Sequence, residues 1–235
     1  MGDQSICDGS LSADDFYVAA KSLCELWQSA NTSLPNWTWI PFKRIPTGIS
    51  CNEGYLSLEN VFHVKSSKEL VSSQDLFQEE QTVDSATVVQ VPSSVIHAYD
   101  FHIIYSFSYR NPVLYFHGHK YDGQPLALDD IQEDLPEYSL KLIRESKWTF
   151  ITFEEHPYLH QPWYMLHPCG TSEWMKLLIG GALHGNPYPA NYLVSWLSVV
   201  GQAVGLRVPS SLTSSCFNDA SSSSIGQCVE LDPSL

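Results

Sequence analysis

Apolar positions recur at helical spacing near both ends of the chain. In SADDFYVAAKSLCELWQSA, the side chains of Phe16, Ala19, Ala20, Leu23, Leu26 and Trp27 share one face. That spacing predicts an amphipathic helix capped by Ser12, with Asp14 and Asp15 at its positive end. In NYLVSWLSVVGQAVGL, Leu193, Trp196, Leu197, Val200 and Val204 repeat the pattern. TSEWMKLLI predicts a helix directly after Cys169, and LALDDIQEDL a short one.

Between these ends the period falls to two. NWTWIPF alternates around Trp37 and Trp39 and reads as a strand ended by proline. GYLSLENVFHV, Gly54 to Val64, reads as a second strand with Tyr55 or Leu56 toward the core. Tyr99–Tyr109 and Val113–His119 form a hairpin turned by Arg110, Asn111 and Pro112, and Asp122-Gly123 turns the chain again. One strand is expected over Trp148–Phe153. Pro157, Pro162 and Pro168 then predict irregular chain as far as Cys169. Residues 65–94 hold no steady period and read as a mobile acidic insertion with a short strand around TVVQV. The pattern describes an α+β fold, an antiparallel meander sheet with an N-terminal helix and C-terminal helices. Its expected limits are a flexible N-terminus over 1–10, one domain over 11–208, and a disordered Ser-rich tail over 209–235.

Composition narrows the class. Hydrophobic residues make up 43% of 235 positions, with 7 Trp, 12 Tyr and 10 Phe, enough for a packed core. A formal charge of -14 with only 12 Lys and Arg excludes a surface that tracks nucleic-acid phosphates, and suits a basic protein partner. No basic n-region precedes an apolar run at the N-terminus, and no stretch approaches the roughly 18 apolar residues of a membrane span, so a cytoplasmic protein is expected. The myristoylation pattern fails because position 6 is Ile. Six cysteines, at 7, 24, 51, 169, 216 and 228, contain no Cys-x-x-Cys, so neither a zinc ribbon nor a redox dithiol is expected.

Cys169, in YMLHPCGTSEWM, is the cysteine whose neighbours ask for an explanation. It stands ahead of a helix N-terminus, where backbone N–H groups favour an anion. Pro168 sets the entry angle, Gly170 adds no side-chain bulk, and Thr171 or Ser172 can cap the helix. Local pattern leaves three readings open: a buried packing residue, a metal ligand, or a nucleophile. His117 and His119 share a strand face but have no third ligand at recognisable spacing, so no metal is expected. A distant histidine, His119 or His156, is the base that a Cys-His hydrolase would need.

EEHPYLHQPWYMLHPCGTSEWM, followed by NYLVSWLSVVGQAVGL and preceded by YSFSYRNPVLYF and DGQPLALDDI, resembles the autophagy-related protein 10 family of ubiquitin-like-conjugating enzymes from about Phe16 to Pro209. His167-Pro168-Cys169 alone is shared with the sister family, autophagy-related protein 3. Glu173, Met175 and the helix from Asn191-Tyr192 to Leu206 point to the former.

The resemblance implies a ubiquitin-conjugating-enzyme-like fold, no cofactor, and Cys169 as a thioester nucleophile. It implies that autophagy-related protein 12 arrives from the activating enzyme, autophagy-related protein 7, and leaves to a lysine of autophagy-related protein 5. A non-catalytic scaffold of the same fold is the rival expectation. Conjugating enzymes place a His-Pro-Asn upstream of the cysteine, whereas here His156-Pro157 is followed by Tyr158, so the asparagine's role is unassigned. Candidate supporting residues are His167, Thr152 and Tyr105, set against a loop-fixing hydrogen bond, strand pairing and core packing respectively. Tyr109 and Arg110 are candidate acceptor-binding residues on an edge suited to a partner strand.

Overall fold

The computed structural model describes residues 8–30, 33–42, 52–64, 96–145, 151–182 and 189–212. The expected strand around TVVQV, residues Trp148 to Phe150 and the tail beyond Leu212 lie outside them.

Among the described residues, six strands make one antiparallel sheet: β1 (Thr38–Pro41), β2 (Gly54–Val64), β3 (Ile96–Ser106), β4 (Asn111–Lys120), β5 (Ile151–Glu155) and β6 (Pro162–Leu166). Their order is β1-β2-β3-β4-β6-β5, a meander whose last hairpin folds back so that β6 lies inside and β5 at the edge. It is accompanied, among the described residues, by helices α1 (Ala13–Ser29), α2 (Leu128–Asp134), α3 (Glu137–Glu145), α4 (Thr171–Ala182) and α5 (Tyr192–Ala203).

Alternation along the strands gives each face its own task. One face carries Leu56, Leu58, Phe101, Ile103, Leu114 and Phe116 into a core shared with Phe16, Leu23 and Trp27 of α1, Met175 of α4, and Leu193, Trp196 and Leu197 of α5. Helix α1 begins where the sequence places it, since the Ser12 hydroxyl accepts the Asp15 amide at 3.1 Å. Tyr55 and Leu56 are both buried, on opposite faces of β2.

The outer face holds a smaller cluster of Tyr55, Ile104, Val113, Tyr115 and Trp163 around a chain of polar groups. His156 Nδ1 accepts the Tyr158 and Leu159 amides at 3.2 and 3.1 Å, which leaves the proton on Nε2. That N–H donates to His102 Nδ1 at 2.8 Å. His102 Nε2 then donates to the Ser57 hydroxyl at 3.0 Å, and Ser57 donates to Glu59 at 3.0 Å. One set of tautomers satisfies every bond, and the chain ties the loop between β5 and β6 to the middle of the sheet. Burial, the dominant cause in both, holds His102 down to about 3 and His156 to about 4.

Several expectations are corrected. The β3–β4 turn is Phe107–Arg110, and Asn111 and Pro112 belong to β4, because Ser106 pairs with Asn111 and Arg110 takes the left-handed φ of 54°. PWYML is a strand: Pro162 sits at its first position, where a missing N–H is tolerated, and the rest pairs with β5. Helix α3 was not expected from the pattern. Ser210 to Leu212 form a helical turn with Leu212 buried, so the folded chain extends past 208.

The first described residues are also packed. Gly9 has φ +74° and lies so close to α4 that a Cβ would meet the Ser172 carbonyl oxygen at 2.0 Å, a fit only glycine allows. Tyr192 of α5 donates to the Gly9 carbonyl at 2.8 Å and reaches Asn111 Oδ1 at 3.4 Å. Asn111, 2% exposed, donates to the Ser172 hydroxyl at 2.8 Å. One side chain thus joins β4, α4 and α5.

Two outcomes follow. Asn111→Ala removes the bond to Ser172 of α4 and the contact with Tyr192 of α5 and leaves a cavity at a buried site, so it should lower stability by about 1–3 kcal/mol, read as a fall in the urea midpoint; an unchanged midpoint contradicts the node. For pH, both histidines have native values below the unfolded value of about 6.5, so the unfolded chain binds more protons between about 6.5 and 4. Stability is therefore complete above about 6.5 and is lost on acidification through that window. Denaturant titrations across the window should show a shallower loss in His102→Gln and His156→Gln, and parallel slopes would contradict the assignment.

Candidate active site

Strand β6 ends at Leu166, and the next three residues deliver Cys169 to the start of α4. Pro168 is buried, whereas Cys169 and Gly170 are exposed. The Gly170 carbonyl accepts the Glu173 and Trp174 amides at 3.1 and 3.2 Å, so Gly170 opens the helix in place of Thr171 or Ser172. Its φ of +78° and open surroundings keep bulk away from the neighbouring sulfur. Ser172 instead receives the Asn111 amide.

His167 fixes the approach. Its Nδ1 accepts the Cys169 backbone N–H at 3.2 Å, so the neutral ring carries its proton on Nε2, which points to the Tyr109 hydroxyl at 3.4 Å. The Tyr109 ring meets the imidazole edge-on with centroids 5.7 Å apart. The structure therefore gathers Cys169, His167 and Tyr109, with His167 in the loop-fixing arrangement. Among the described residues there are two cysteines, both free thiols. Burial pushes the Cys24 thiol up, which keeps it protonated and inert. Cys169 is the exposed one, contrary to the buried reading that local pattern leaves open.

The remaining sequence candidates stand apart. Tyr105 donates to the Leu11 carbonyl at 2.8 Å and packs against Phe16 with centroids 5.6 Å apart, so its hydroxyl anchors the segment before α1. Thr152 pairs with Met165 across β5 and β6, and its buried hydroxyl has no hydrogen-bond partner. Neither lines the groove beside Cys169, though Tyr105 lines the wider hollow on the outer side. Arg110 lies 4.0 Å from Asp8 with its side chain half exposed, and its carbonyl accepts the Leu11 amide at 2.9 Å. His156 is fully buried in the polar chain and unavailable as a base.

Two concavities share Pro168, the residue before Cys169. On the helical side a groove of about 230 Å³ runs from Cys169 and Pro168 past Leu114, Trp174, Trp196 and Val200. On the outer side Pro168 borders a wider hollow lined by Phe107, Tyr109 and Tyr158 together with Glu53, Glu154 and Glu155. The thiol lies in the apolar groove, one residue past the proline that also borders the acidic hollow. Asn111 is the residue sequence reasoning missed here, because the adjacent proline makes it look like part of a turn. Asp100 is another, since β3–β4 pairing sets it opposite His117 and supplies the third potential ligand that spacing along the chain does not reveal. No described helix is long and apolar enough to cross a membrane.

The chain matches the family described as autophagocytosis associated protein, active-site domain, over residues 15–211. It is 46% identical over 216 residues to the ubiquitin-like-conjugating enzyme ATG10 of Arabidopsis thaliana, covering 88% of this chain and 96% of that one. The human ATG10 is 35% identical over 192 residues, covering 78% and 85%. Autophagy-related protein 3 of Kluyveromyces marxianus shares 34% over only 95 residues, 39% of this chain and 28% of its own. A crystal structure of the autophagic E2 Atg10 overlaps with a TM-score of 0.45 at 14% identity, covering 84% of this chain and 99% of that one. With its match spanning most of the fold from α1 to the turn after α5, the chain belongs to the autophagocytosis-associated active-site-domain family, among the ATG10 ubiquitin-like-conjugating enzymes of autophagy, which are E2-type transferases.

Proposed function

We propose that Cys169 carries the modifier as a thioester, that the modifier is autophagy-related protein 12 delivered by autophagy-related protein 7, and that the acceptor is a lysine of autophagy-related protein 5. The observation that carries this reading is the exposed free thiol ahead of α4, lining an apolar groove one residue past the proline that borders an acidic hollow.

The chemistry is two acyl transfers. The Cys169 thiolate attacks the modifier's thioester on the activating enzyme; a new S–C bond forms, the old one breaks, and the activating enzyme's cysteine leaves as a thiolate. The uncharged lysine amine then attacks the same carbonyl, an N–C bond forms, and Cys169 leaves as a thiolate while the amine's surplus proton passes to solvent. The groove is suited to hold the modifier's C-terminal segment. Glu53, Glu154 and Glu155 attract the lysine, and desolvation as the acceptor docks favours the neutral amine that reacts. The Tyr109 hydroxyl, on the rim beside His167, meets the acceptor in this reading, while His167 holds the Cys169 backbone in place.

Incubation with activating enzyme, modifier and ATP should give a charged band on a gel run without reductant, lost on adding thiol and absent in Cys169→Ala. A persistent band in that variant would remove Cys169 from the mechanism, and no charged species at all would favour a scaffold. Tyr109→Ala should leave charging intact and slow single-turnover transfer to the acceptor about tenfold, equivalent to about 1.4 kcal/mol of transition-state stabilisation. Unchanged transfer would rule out its part in acceptor engagement.

A further inference from the structure

We propose that Asp100, His117 and His119 form a binding site for one zinc ion on the outer face of the sheet. Their ligand atoms all lie within 4.8 Å of one another. Pairing produces the cluster: Asp100 stands directly across from His117, and His119 follows two residues along β4 on the same face. The two imidazoles lie nearly parallel, 29° apart with centroids separated by 6.3 Å.

The geometry suits an ion better than it suits direct pairing. Asp100 Oδ2 and His119 Nδ1 are 4.0 Å apart, beyond hydrogen-bond distance, so the two side chains do not satisfy each other directly. Ligands about 2.1 Å from a tetrahedral zinc lie about 3.4 Å from one another, so small side-chain rotations close the cluster around the metal. The carboxylate is already oriented. The bulge in β2 puts Asn60 at φ 60°, and its backbone N–H donates to Asp100 Oδ1 at 2.8 Å, leaving Oδ2 directed to the histidines. The Trp163 ring, 5.5 Å from the His117 ring, limits that imidazole's rotation from the other side. All three residues are half-buried, so the fourth position is open to water. Two imidazoles and one carboxylate are the ligand types that zinc takes in three-ligand sites, and the chain's net charge of -14 favours any cation. Bound metal would join the β2 bulge, β3 and β4 into one rigid patch.

The test uses the full chain, stripped with chelator and kept reduced. Calorimetric titration with zinc chloride should show saturable binding of one equivalent, weakened at least tenfold in Asp100→Asn, His117→Gln and His119→Gln, and zinc should raise the melting temperature of the parent chain but not of the variants. Cobalt in place of zinc should give visible bands without sulfur-to-metal charge transfer, which separates this site from the cysteines. His119 is partly exposed, so His119→Gln, checked for an unchanged urea midpoint without metal, carries the result if His117→Gln does not fold. Absence of saturable binding, undiminished binding in His119→Gln and Asp100→Asn, or a thiolate signature in the cobalt spectrum would each overturn the proposal.

Discussion

The Asn111 amide is the constraint on which the arrangement around Cys169 depends. A residue at the start of a central strand holds the first turn of α4 through Ser172 and meets α5 through Tyr192, and Tyr192 in turn holds the N-terminal segment at Gly9. Cys169 precedes that first turn, so its position relative to the sheet is set by a buried side chain bonded to both helices rather than by the loop that carries it. His167 adds the last restraint by accepting the Cys169 backbone N–H. The thiol is thereby placed by rigid elements and left open to solvent, the combination that a group carried between two large partners requires.

The sheet divides its work between its two faces. Its helical face gains stability from apolar burial and, in the groove beside Cys169, lends that surface to the site. Its outer face is built from rings and polar chains: Glu59, Ser57, His102 and His156 in one line, with Trp163 stacked on His102 at 4.2 Å. In many conjugating enzymes the His-Pro motif before the cysteine leads to an asparagine. Here its histidine locks the loop from below, so the loop's shape is kept by neutral imidazoles that need burial and near-neutral pH. The acidic hollow lies above this layer, which lets carboxylates gather beside the site without destabilising the apolar core.

Much of this was legible in the residues. The faces of α1 and α5 follow from apolar spacing, and the range of β2 from its alternating apolar residues, because these signals lie within each segment. What local pattern missed depends on pairing between distant segments. Pro162 disguises β6, although a strand tolerates proline at its first position. Asn111-Pro112 resembles a turn, yet a four-residue loop closed by Arg110 in the left-handed region moves both into β4. The meeting of Asp100 with His117 and His119 appears only once the hairpin register is known. Cys169 itself could not be assigned from spacing, since a buried thiol and an exposed one share the same neighbours; its exposure is a property of the α4 entry, where Pro168 turns inward and Gly170 leaves space.

The central claim is that the sulfur at position 169 is the atom that takes the modifier. Its most direct test is to trap the more stable oxyester in Cys169→Ser after charging, digest the adduct, and locate the linkage by mass spectrometry. The account predicts the modifier's C-terminal residue esterified at position 169 in one adduct per chain. A linkage mapped to any other residue, with position 169 unmodified, would contradict it.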